Sequence, residues 1–464
     1  MSDQAAEGLL DRAWRRIGGL WRDMAATVAG EADDDVAAQM RACLAARGGE
    51  VSARNRAAKL AEAYLALDAE GQLAFFRTLA SFDSDPDEVA AAMHAVGEAA
   101  DENARTAART RLRQVLEPPR VRLLTQFTTI PDGMKFLVGL RAALLPHAKS
   151  DPALAALEAD FRNLLRTWFD VGFLELRHID WNSPASLLEK LVGYEAVHQI
   201  RSWRDLKNRL DIDRRCYAFF HPRMPDEPLI FVEVALTKGL AENIQRLLDE
   251  SAPHLNPKDA DTAIFYSISN CQRGLDGISF GNFLIKRVVG LLGDELRSIK
   301  TFATLSPIPG FRRWLDQTLK DIPASFVSEE ESAALMAAAP GTDGAGAALS
   351  AILAKRGWHK NPAAARAAEP VLMRLCARYL LIEAARGGKR ARDPVAHFHL
   401  SNGARVERIN WLADVSDKGV KEGAGMMVNY LYDPAKIEEW HEAYAGEGKR
   451  TASTAARKLA RGWS

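Results

Sequence analysis

The segment Phe173-Leu174-Glu175-Leu176-Arg177 marks the point at which the pattern of the chain changes. Its apolar and polar residues alternate with period two, which is typical of a half-buried β-strand. Before about residue 170 the apolar residues recur at helical spacing instead. This change predicts two units, a helical domain over residues 1–168 and a mixed domain over residues 169–464.

The residues before this segment predict a bundle of antiparallel helices. One apolar helical face extends from Leu10 to Val28 with i, i+3, i+4, i+7 spacing. An aspartate followed by a proline predicts the start of two later helices, at Asp85-Pro86 and at Asp151-Pro152. Aspartate caps the free N–H groups of a helix, and proline is favoured at the first helical position.

The residues after this segment predict strands and helices in mixture, and therefore an α+β fold. Helical patterns occupy Leu240–Leu248 and Phe283–Leu292. An Ala- and Gly-rich piece within residues 329–353 has little to bury, which predicts an irregular insertion. The strand-like runs are Cys216–His221, Leu229–Leu236, Ile264–Ser269, Val395–Leu400, Val406–Leu412 and Met426–Tyr432.

Composition excludes several classes of protein. The 464 residues are 47% hydrophobic and 26% charged, as in ordinary globular proteins, and a net charge of +0 argues against a nucleic-acid binder. Cysteines 43, 216, 271 and 376 form no CxxC pair, which fits a reducing compartment. The chain has neither a run of 18 apolar residues nor a basic N-terminal leader, so we expect a cytoplasmic protein without membrane contact.

Two loops carry candidate binding and catalytic residues. Gly274, Gly277 and Gly281 lie between a predicted strand and a predicted helix, where free N–H groups favour an anion such as pyrophosphate. A plain strand-to-helix turn explains the same glycines. Ser306 precedes Pro307, which has no N–H for an oxyanion hole, so Ser306 is a poor acyl-enzyme nucleophile. It is either a rigidly held hydroxyl donor or a turn serine without function.

Two segments near the C-terminus add histidines and aromatic residues. In the predicted strand, His397 and His399 project to one face, but no third ligand with recognisable spacing accompanies them, so we expect no metal. One catalytic histidine with a structural neighbour is the stronger functional interpretation, and packed histidines are the alternative. Arg408–Asp414 and Gly423–Tyr432 could shape the mouth of a pocket, although core packing also produces such residues.

Together these segments resemble malonyl-CoA decarboxylases. The residues that carry the resemblance are Tyr194–His198, Arg214–Tyr217, Glu227–Leu229, Val234–Thr237, Phe265–Ser269, Phe283–Val289, Leu305–Phe311, Phe398–Leu400, Asn402–Ala404 and Arg408–Trp411, with Lys135–Val138 in the helical half. The resemblance implies a helical domain that mediates oligomerisation, here expected as a homotetramer. It also implies a catalytic domain similar to the acetyl-CoA-dependent N-acetyltransferase fold. The C-terminal Arg461-Gly462-Trp463-Ser464 is not a peroxisomal Ser-Lys-Leu address, which fits a bacterial cytosolic form.

The same resemblance assigns the site residues. Ser306 and His399 take the catalytic positions, and Ser267 and Tyr432 lie near the malonyl group. The residues in the CoA-binding position are Asp276, Gly277, Ile278, Ser279, Phe280, Gly281 and Asn282.

The expected reaction turns malonyl-CoA into acetyl-CoA and CO₂ without a cofactor, because the thioester carbonyl is itself the electron sink. His399 would protonate C2 of the enolate, as a group whose pKa lies near neutrality. Ser306 would hydrogen-bond either the malonyl carboxylate or the thioester. A CoA-dependent acyltransferase on the same fold and a non-catalytic CoA-binding scaffold are the alternatives.

Overall fold

A computed structural model describes residues 21, 35–45, 49–278, 281–321, 326–385 and 387–461, with residues 281–283 and 321 described by their backbone alone. The predicted helix from Leu10 to Val28 lies outside the described residues except for Trp21. The Trp21 indole is buried and donates from Nε1 to Pro131 O at 2.9 Å.

The described part of the first 168 residues is helical. The aspartate caps predicted at Asp85 and Asp151 are confirmed, since each carboxylate accepts two N–H groups of the first turn and a proline follows. The helices are α1 (Val36–Leu44), α2 (Glu50–Leu65), α3 (Ala69–Ser81), α4 (Pro86–Gly97), α5 (Glu102–Leu116), α6 (Pro119–Gln126), α7 (Gly133–Leu144) and α8 (Pro152–Trp168).

Helix α7 lies between two hydrophobic cores and is buried on nearly all sides. Phe136 and Leu140 pack into the core of the helical half, among the aromatic rings of α2 and α3. Met134 and Val138, on another face of α7, belong to the core of the sheet half. An amphipathic helix would expose one of these faces, so the all-round apolar character of α7 reflects its place between the halves.

The second half is built on an eight-stranded mixed sheet, which confirms the predicted α+β organisation. Its order is β1-β2-β3-β4-β5-β8. On one side β8 pairs first with β6 and then with β5, and on its other side it pairs with β7. Only β4 and β5 pair in parallel; the other neighbours are antiparallel. The strands are β1 (Glu175–Ile179), β2 (Arg214–His221), β3 (Met224–Thr237), β4 (Thr262–Asn270), β5 (Thr301–Thr304), β6 (Ser306–Pro307), β7 (Arg405–Asn410) and β8 (Met427–Tyr432).

Helices cover the sheet and complete this half. The predicted helix over Phe283–Leu292 is confirmed, whereas the one over Leu240–Leu248 is shortened to a single turn that starts after the capping residue Asn243. The helices are α9 (Ala185–Tyr194), α10 (Trp203–Arg209), α11 (Ile244–Leu247), α12 (Gly281–Glu295), α13 (Phe311–Thr318), α14 (Glu329–Ala338), α15 (Ala345–Ala354), α16 (Pro362–Leu381), α17 (Pro394–Ser401), α18 (Asp417–Gly423), α19 (Ile437–Glu447) and α20 (Thr454–Ala460).

Two predictions for this half are wrong. The predicted strand Val395–Leu400 is helix α17, because Asp393 accepts the N–H groups of Val395 and Ala396 and Pro394 takes the first helical position. The predicted irregular insertion at 329–353 is largely the helices α14 and α15. Ser328 and Glu331 form a capping box there, and the buried residues of the two helices join the main core.

Candidate active site

The sheet opens between β4 and β5. The two strands pair in parallel as far as Phe265 and Thr304, and Leu305 N still donates to Phe265 O at 3.0 Å. Beyond this point β4 stays with β3, whereas Ser306 pairs with Val428 of β8. Tyr266 is an extra residue in the pairing of β4 with β3, and such a bulge bends the strand. The two halves of the sheet therefore diverge around a gap.

A cavity of about 260 Å³ occupies this gap. Ser306 and His399 line it, among mainly apolar neighbours and without any lysine or arginine in its described wall. The remaining lining residues are Val197, Ile230, Phe265, Tyr266, Ile268, Asn270, Pro307, Pro394, Val395 and Phe398. A larger depression of about 1140 Å³ between β1, β2 and α12 is open to solvent and contains neither Ser306 nor His399.

Four buried side chains form a hydrogen-bonded chain beside the cavity. The His399 ring places Nε2 3.0 Å from Ser306 Oγ and Nδ1 2.8 Å from the hydroxyl of Tyr432. Ser306 Oγ donates to Thr304 Oγ1 at 2.8 Å, and this oxygen also accepts Tyr430 N–H at 3.1 Å. Ser306 is 5% and His399 3% exposed. The structure therefore brings together the predicted Ser306, His399 and Tyr432.

The hydrogen bonds assign the tautomer of His399. Ser306 uses its hydroxyl proton on Thr304, so the bond between Ser306 and His399 needs the proton on Nε2. Nδ1 then accepts from Tyr432, whose pKa burial raises well above its ordinary value, so that its hydroxyl stays protonated. With its proton on Nε2, the imidazole lacks the lone pair that would deprotonate Ser306.

Burial also decides the charge of His399. It lowers the pKa of His399 to about 3, because an imidazolium buried at this position would lose its hydration. The ring stacks on Tyr430 with centroids 4.5 Å apart and an interplanar angle of 25°. The lowered pKa makes His399 a neutral N–H donor, in contrast to the pKa near neutrality expected from its residue type.

His397 is separate from this chain of hydrogen bonds. Because α17 is a helix, the two histidines do not share a face, and His397 Nδ1 lies 2.8 Å from the Tyr444 hydroxyl. Over the described parts of the chain no cluster of three or more potential metal ligands of the His, Cys, Asp or Glu type is found.

Ser267 lies beside the cavity, but its hydroxyl points elsewhere. It donates to the buried carboxylate of Glu195, whose oxygens lie 2.7 and 2.8 Å away, and it is absent from the cavity lining. Glu195 also accepts the N–H groups of Val197 and His198, at 2.9 and 2.7 Å. Ser267 thus helps to hold the segment that brings Val197 into the cavity wall.

The predicted CoA-binding residues follow β4. Asp276 ends a short 3₁₀ turn over Arg273–Leu275, Gly277 has a φ of +77°, and Ile278 is buried. Ser279 and Phe280 lie outside the described residues. Gly281 and Asn282 are the first two residues of α12, where helical N–H groups lack partners within the helix.

Comparisons with known proteins cover most of the chain. Residues 82–169 match the family model of the malonyl-CoA decarboxylase N-terminal domain, and residues 172–463 match that of its C-terminal domain. The chain belongs to the malonyl-CoA decarboxylase family. It is accordingly an enzyme, a carboxy-lyase.

Individual relatives agree with this placement. The mitochondrial malonyl-CoA decarboxylase of Anser anser anser is 40% identical over 349 residues, 73% of this chain and 69% of the relative. The crystal structure of malonyl-CoA decarboxylase from Rhodopseudomonas palustris has a TM-score of 0.82 and 41% identity, covering 92% of this chain and 99% of that one. The enzyme from Agrobacterium vitis gives a TM-score of 0.82 at 40% identity over the same shares.

Two residues that contact Ser306 and His399 in this candidate site were not predicted from the sequence. Thr304 precedes Ser306 by two positions, so strand alternation could have placed both hydroxyls on one side. Tyr430 precedes Tyr432 by two positions in β8, and its ring stacks on that of His399.

The part of the chain that the structure describes has no helix that is both long and apolar enough to cross a membrane.

Proposed function

We propose that this decarboxylase releases CO₂ from malonyl-CoA at the Ser306–His399 pair and returns acetyl-CoA. The observation that carries the proposal is the hydrogen bond of 3.0 Å between the two side chains at the wall of a buried cavity. The acyl group enters that cavity, and the pantetheine arm follows the opening between β4 and β5. The diphosphate lies at the turn between β4 and α12, where unpaired helical N–H groups attract anions.

The apolar wall favours loss of the carboxylate. No lysine or arginine lines the described cavity, so the carboxylate of the substrate receives no counter-charge there. A charge that loses its hydration without a partner is destabilised, whereas the transition state spreads that charge toward the thioester oxygen. The C–C bond breaks, its electron pair moves into the enolate of the thioester, and neutral CO₂ leaves.

The proton then reaches C2 through His399. The enolate carbon is a strong base, so a neutral imidazole N–H is acidic enough to protonate it, and neutral histidine is an established acid in enolate chemistry. Nε2–H gives its proton to C2 while Nδ1 takes the proton of Tyr432 across the 2.8 Å hydrogen bond, because the enolate carbon is a much stronger base than even a buried tyrosinate. Solvent restores the Tyr432 proton after acetyl-CoA leaves, which balances the one proton that the reaction consumes.

Ser306 acts as a hydrogen-bonding group. In the free enzyme its oxygen accepts His399 Nε2–H, and its own proton lies on Thr304. When the malonyl group binds, the Ser306 hydroxyl turns to that group and releases Nε2–H, which then faces C2. Because Pro307 removes a backbone N–H and Nε2 carries a proton, no acyl-enzyme forms on Ser306.

Incubation of the protein with malonyl-CoA alone tests this function. We expect acetyl-CoA and CO₂ in equal amounts, without added metal, nucleotide or amine acceptor. Mass spectrometry of the products in deuterated water should show one solvent-derived deuteron at C2. Release of free CoA instead of acetyl-CoA would favour an acyl transfer or hydrolysis and contradict the proposal.

The homotetramer and the cytoplasmic location remain predictions. The α4–α5 hairpin supports assembly through the helical half, since it buries few of its own residues and exposes Met93 by 60% and Leu116 by 50%. Sedimentation of the full chain should give a tetramer, and Met93→Glu should weaken it. An unchanged assembly in that variant would remove the hairpin from the interface.

A further inference from the structure

Arg141 of the helical half is buried at the boundary with the sheet half. It lies on α7, and its side chain is 1% exposed. An arginine keeps its charge in such a place only when carboxylates or carbonyls satisfy its N–H groups. The partners of Arg141 therefore show what the residue does.

Those partners lie on both sides of the boundary. From the helical half, the Glu158 carboxylate of α8 accepts from Nη2 at 2.7 Å and Nε at 3.3 Å. From the sheet half, Gly274 O accepts from Nη1 at 2.6 Å and Asp276 O accepts from Nη2 at 3.0 Å. The two carbonyls belong to the turn that connects β4 with α12. Arg141 thus fixes the backbone of the turn from below.

A second contact presses the same turn against α7. A Cβ atom added at Gly274 would lie 1.8 Å from Val138 O, so only glycine permits this approach. Gly277, which connects Asp276 to Ile278, has a left-handed backbone conformation. The path of the chain from Gly274 to Ile278 is therefore set by a contact with the helical half.

Glu158 keeps the guanidinium engaged. Burial alone would raise the pKa of Glu158, but hydrogen bonds from Arg141 and Arg162 hold it below its ordinary value, so the carboxylate stays charged. The Nε, Nη1 and Nη2 groups of Arg141 are all directed at the Glu158 carboxylate and the two turn carbonyls, so its role toward a ligand is indirect. It shapes the turn and does not itself neutralise a phosphate.

We propose that Arg141 is a positioning residue for the diphosphate of the CoA thioester, through its grip on the Gly274–Asp276 turn. The proposal rests on the proposed function, which places the diphosphate at that turn. It also gives the helical half a part in substrate affinity, in addition to the part in assembly predicted for it. The reaction centre, which Arg141 does not contact, should be untouched.

Two substrates separate this role from general support of the fold. Malonyl-CoA carries the diphosphate, whereas malonyl-pantetheine has the same acyl group and arm without it. Arg141→Lys retains a charge but cannot reach both carbonyls and the carboxylate. We expect kcat/KM for malonyl-CoA to fall by about 10- to 100-fold, mainly through KM, as for other displaced binding groups. For malonyl-pantetheine, kcat/KM should stay within about twofold of the wild type on the same reasoning.

Arg120→Lys is the matched control. Arg120 is also a buried arginine, 3% exposed, that donates to a carboxylate (Asp160, 2.7 Å) and a backbone carbonyl (Ala80 O, 2.9 Å). Arg120, Asp160 and Ala80 all belong to the helical half, so this cluster does not contact the Gly274–Asp276 turn. Arg120→Lys should lower the melting temperature without changing the ratio of kcat/KM between the two substrates. Gly274→Ala serves as a second variant, because it disturbs the same turn from the other side and should change that ratio as Arg141→Lys does.

The outcomes can be told apart. Equal losses on both substrates in Arg141→Lys, or the same change of ratio in Arg120→Lys, would show a merely structural role and overturn the proposal. If the wild type prefers malonyl-CoA, an unchanged ratio of kcat/KM between the two substrates in Arg141→Lys would also overturn the proposal. A wild type that decarboxylates both substrates with equal kcat/KM would overturn the diphosphate position as well, and Arg141 would then have nothing to position.

Discussion

The proposed reaction centre and the Gly274–Asp276 turn are supported in opposite ways. Ser306, His399, Thr304 and Tyr432 all come from the sheet half, and neutral side chains hold one another there through bonds of 2.8–3.0 Å. The turn at Gly274 is held by the charged Arg141 of the helical half. If the proposed roles hold, chemistry depends on one half of the molecule and substrate affinity on both. Variants at the centre should therefore change kcat, and variants at the boundary should change KM.

The sharpest test of the centre is His399→Asn. This change keeps a side chain of similar shape but removes the Nε2–H that protonates C2. We expect kcat to fall by about 10²- to 10⁴-fold with little change in KM, as when a general acid is lost. Steady-state kinetics with malonyl-CoA measure both constants.

His397→Asn is the control for this prediction, since its imidazole lies two residues away and contacts Tyr444. It should retain kcat within a few-fold. If His397→Asn abolished turnover while His399→Asn retained it, the two roles would have to be exchanged.

The next largest effect is expected from Ser306→Ala. Removal of the hydroxyl takes away a hydrogen bond to the malonyl group and the oxygen that orients His399 Nε2–H. We expect kcat to fall by about 10²- to 10³-fold, as for a lost donor to developing charge. Ser401→Ala, whose hydroxyl on the same helix as His399 donates only to Phe398 O, is a control. A trapped acyl group on Ser306 in the wild type, seen by intact mass, would refute the proposed role.

A smaller effect should follow from Thr304→Val. Valine fills nearly the same volume but leaves two donors, the Ser306 hydroxyl and Tyr430 N–H, without their acceptor. A buried donor without a partner costs about 1–3 kcal/mol, so both the unfolding free energy and kcat should decrease, the latter by about tenfold. Chemical denaturation and kinetics would measure the two losses. Thr301→Val, on the same strand but three residues before Thr304, should leave kcat unchanged.

Local signals in the sequence predict much of the fold and less of the site. Period-two alternation and the aspartate–proline caps identified most strands and helices. The strand prediction for Val395–Leu400 is wrong because it follows the alternation of apolar and polar residues and neglects the cap at Asp393-Pro394. The same aspartate–proline cap predicts α4 and α8 correctly. Capping is a local interaction and needs no knowledge of the fold, so the sequence contained the signal that the prediction overlooked.

The site residues depended on more than local pattern. Ser306, His399 and Tyr432 came from a resemblance to a family, because the hydrogen bond between Ser306 and His399 joins positions 93 residues apart. Arg141 and Gly274 are separated by 133 residues, and although the glycines at 274, 277 and 281 marked one side of this contact, no local pattern marked Arg141. Burial moved the pKa of His399 to about 3, which no residue type alone predicts.

The smallest expected effect, and the one that separates two mechanisms, is the pH dependence. The pKa of His399 is lowered to about 3 by burial, so the ring is neutral from pH 5 to 8. If neutral Nε2–H is the donor, log kcat/KM has a slope of about zero over this range, because kcat/KM reports the ionisation of the free enzyme. If the imidazolium were the donor, its population would fall about tenfold for each unit of rising pH, since it titrates far below the measured range. Initial rates at low malonyl-CoA, at constant ionic strength between pH 5.5 and 8, distinguish the two slopes. A slope near −1 that disappears in His399→Asn would contradict the neutral relay through Tyr432. It would show instead that the imidazolium form of His399 donates the proton.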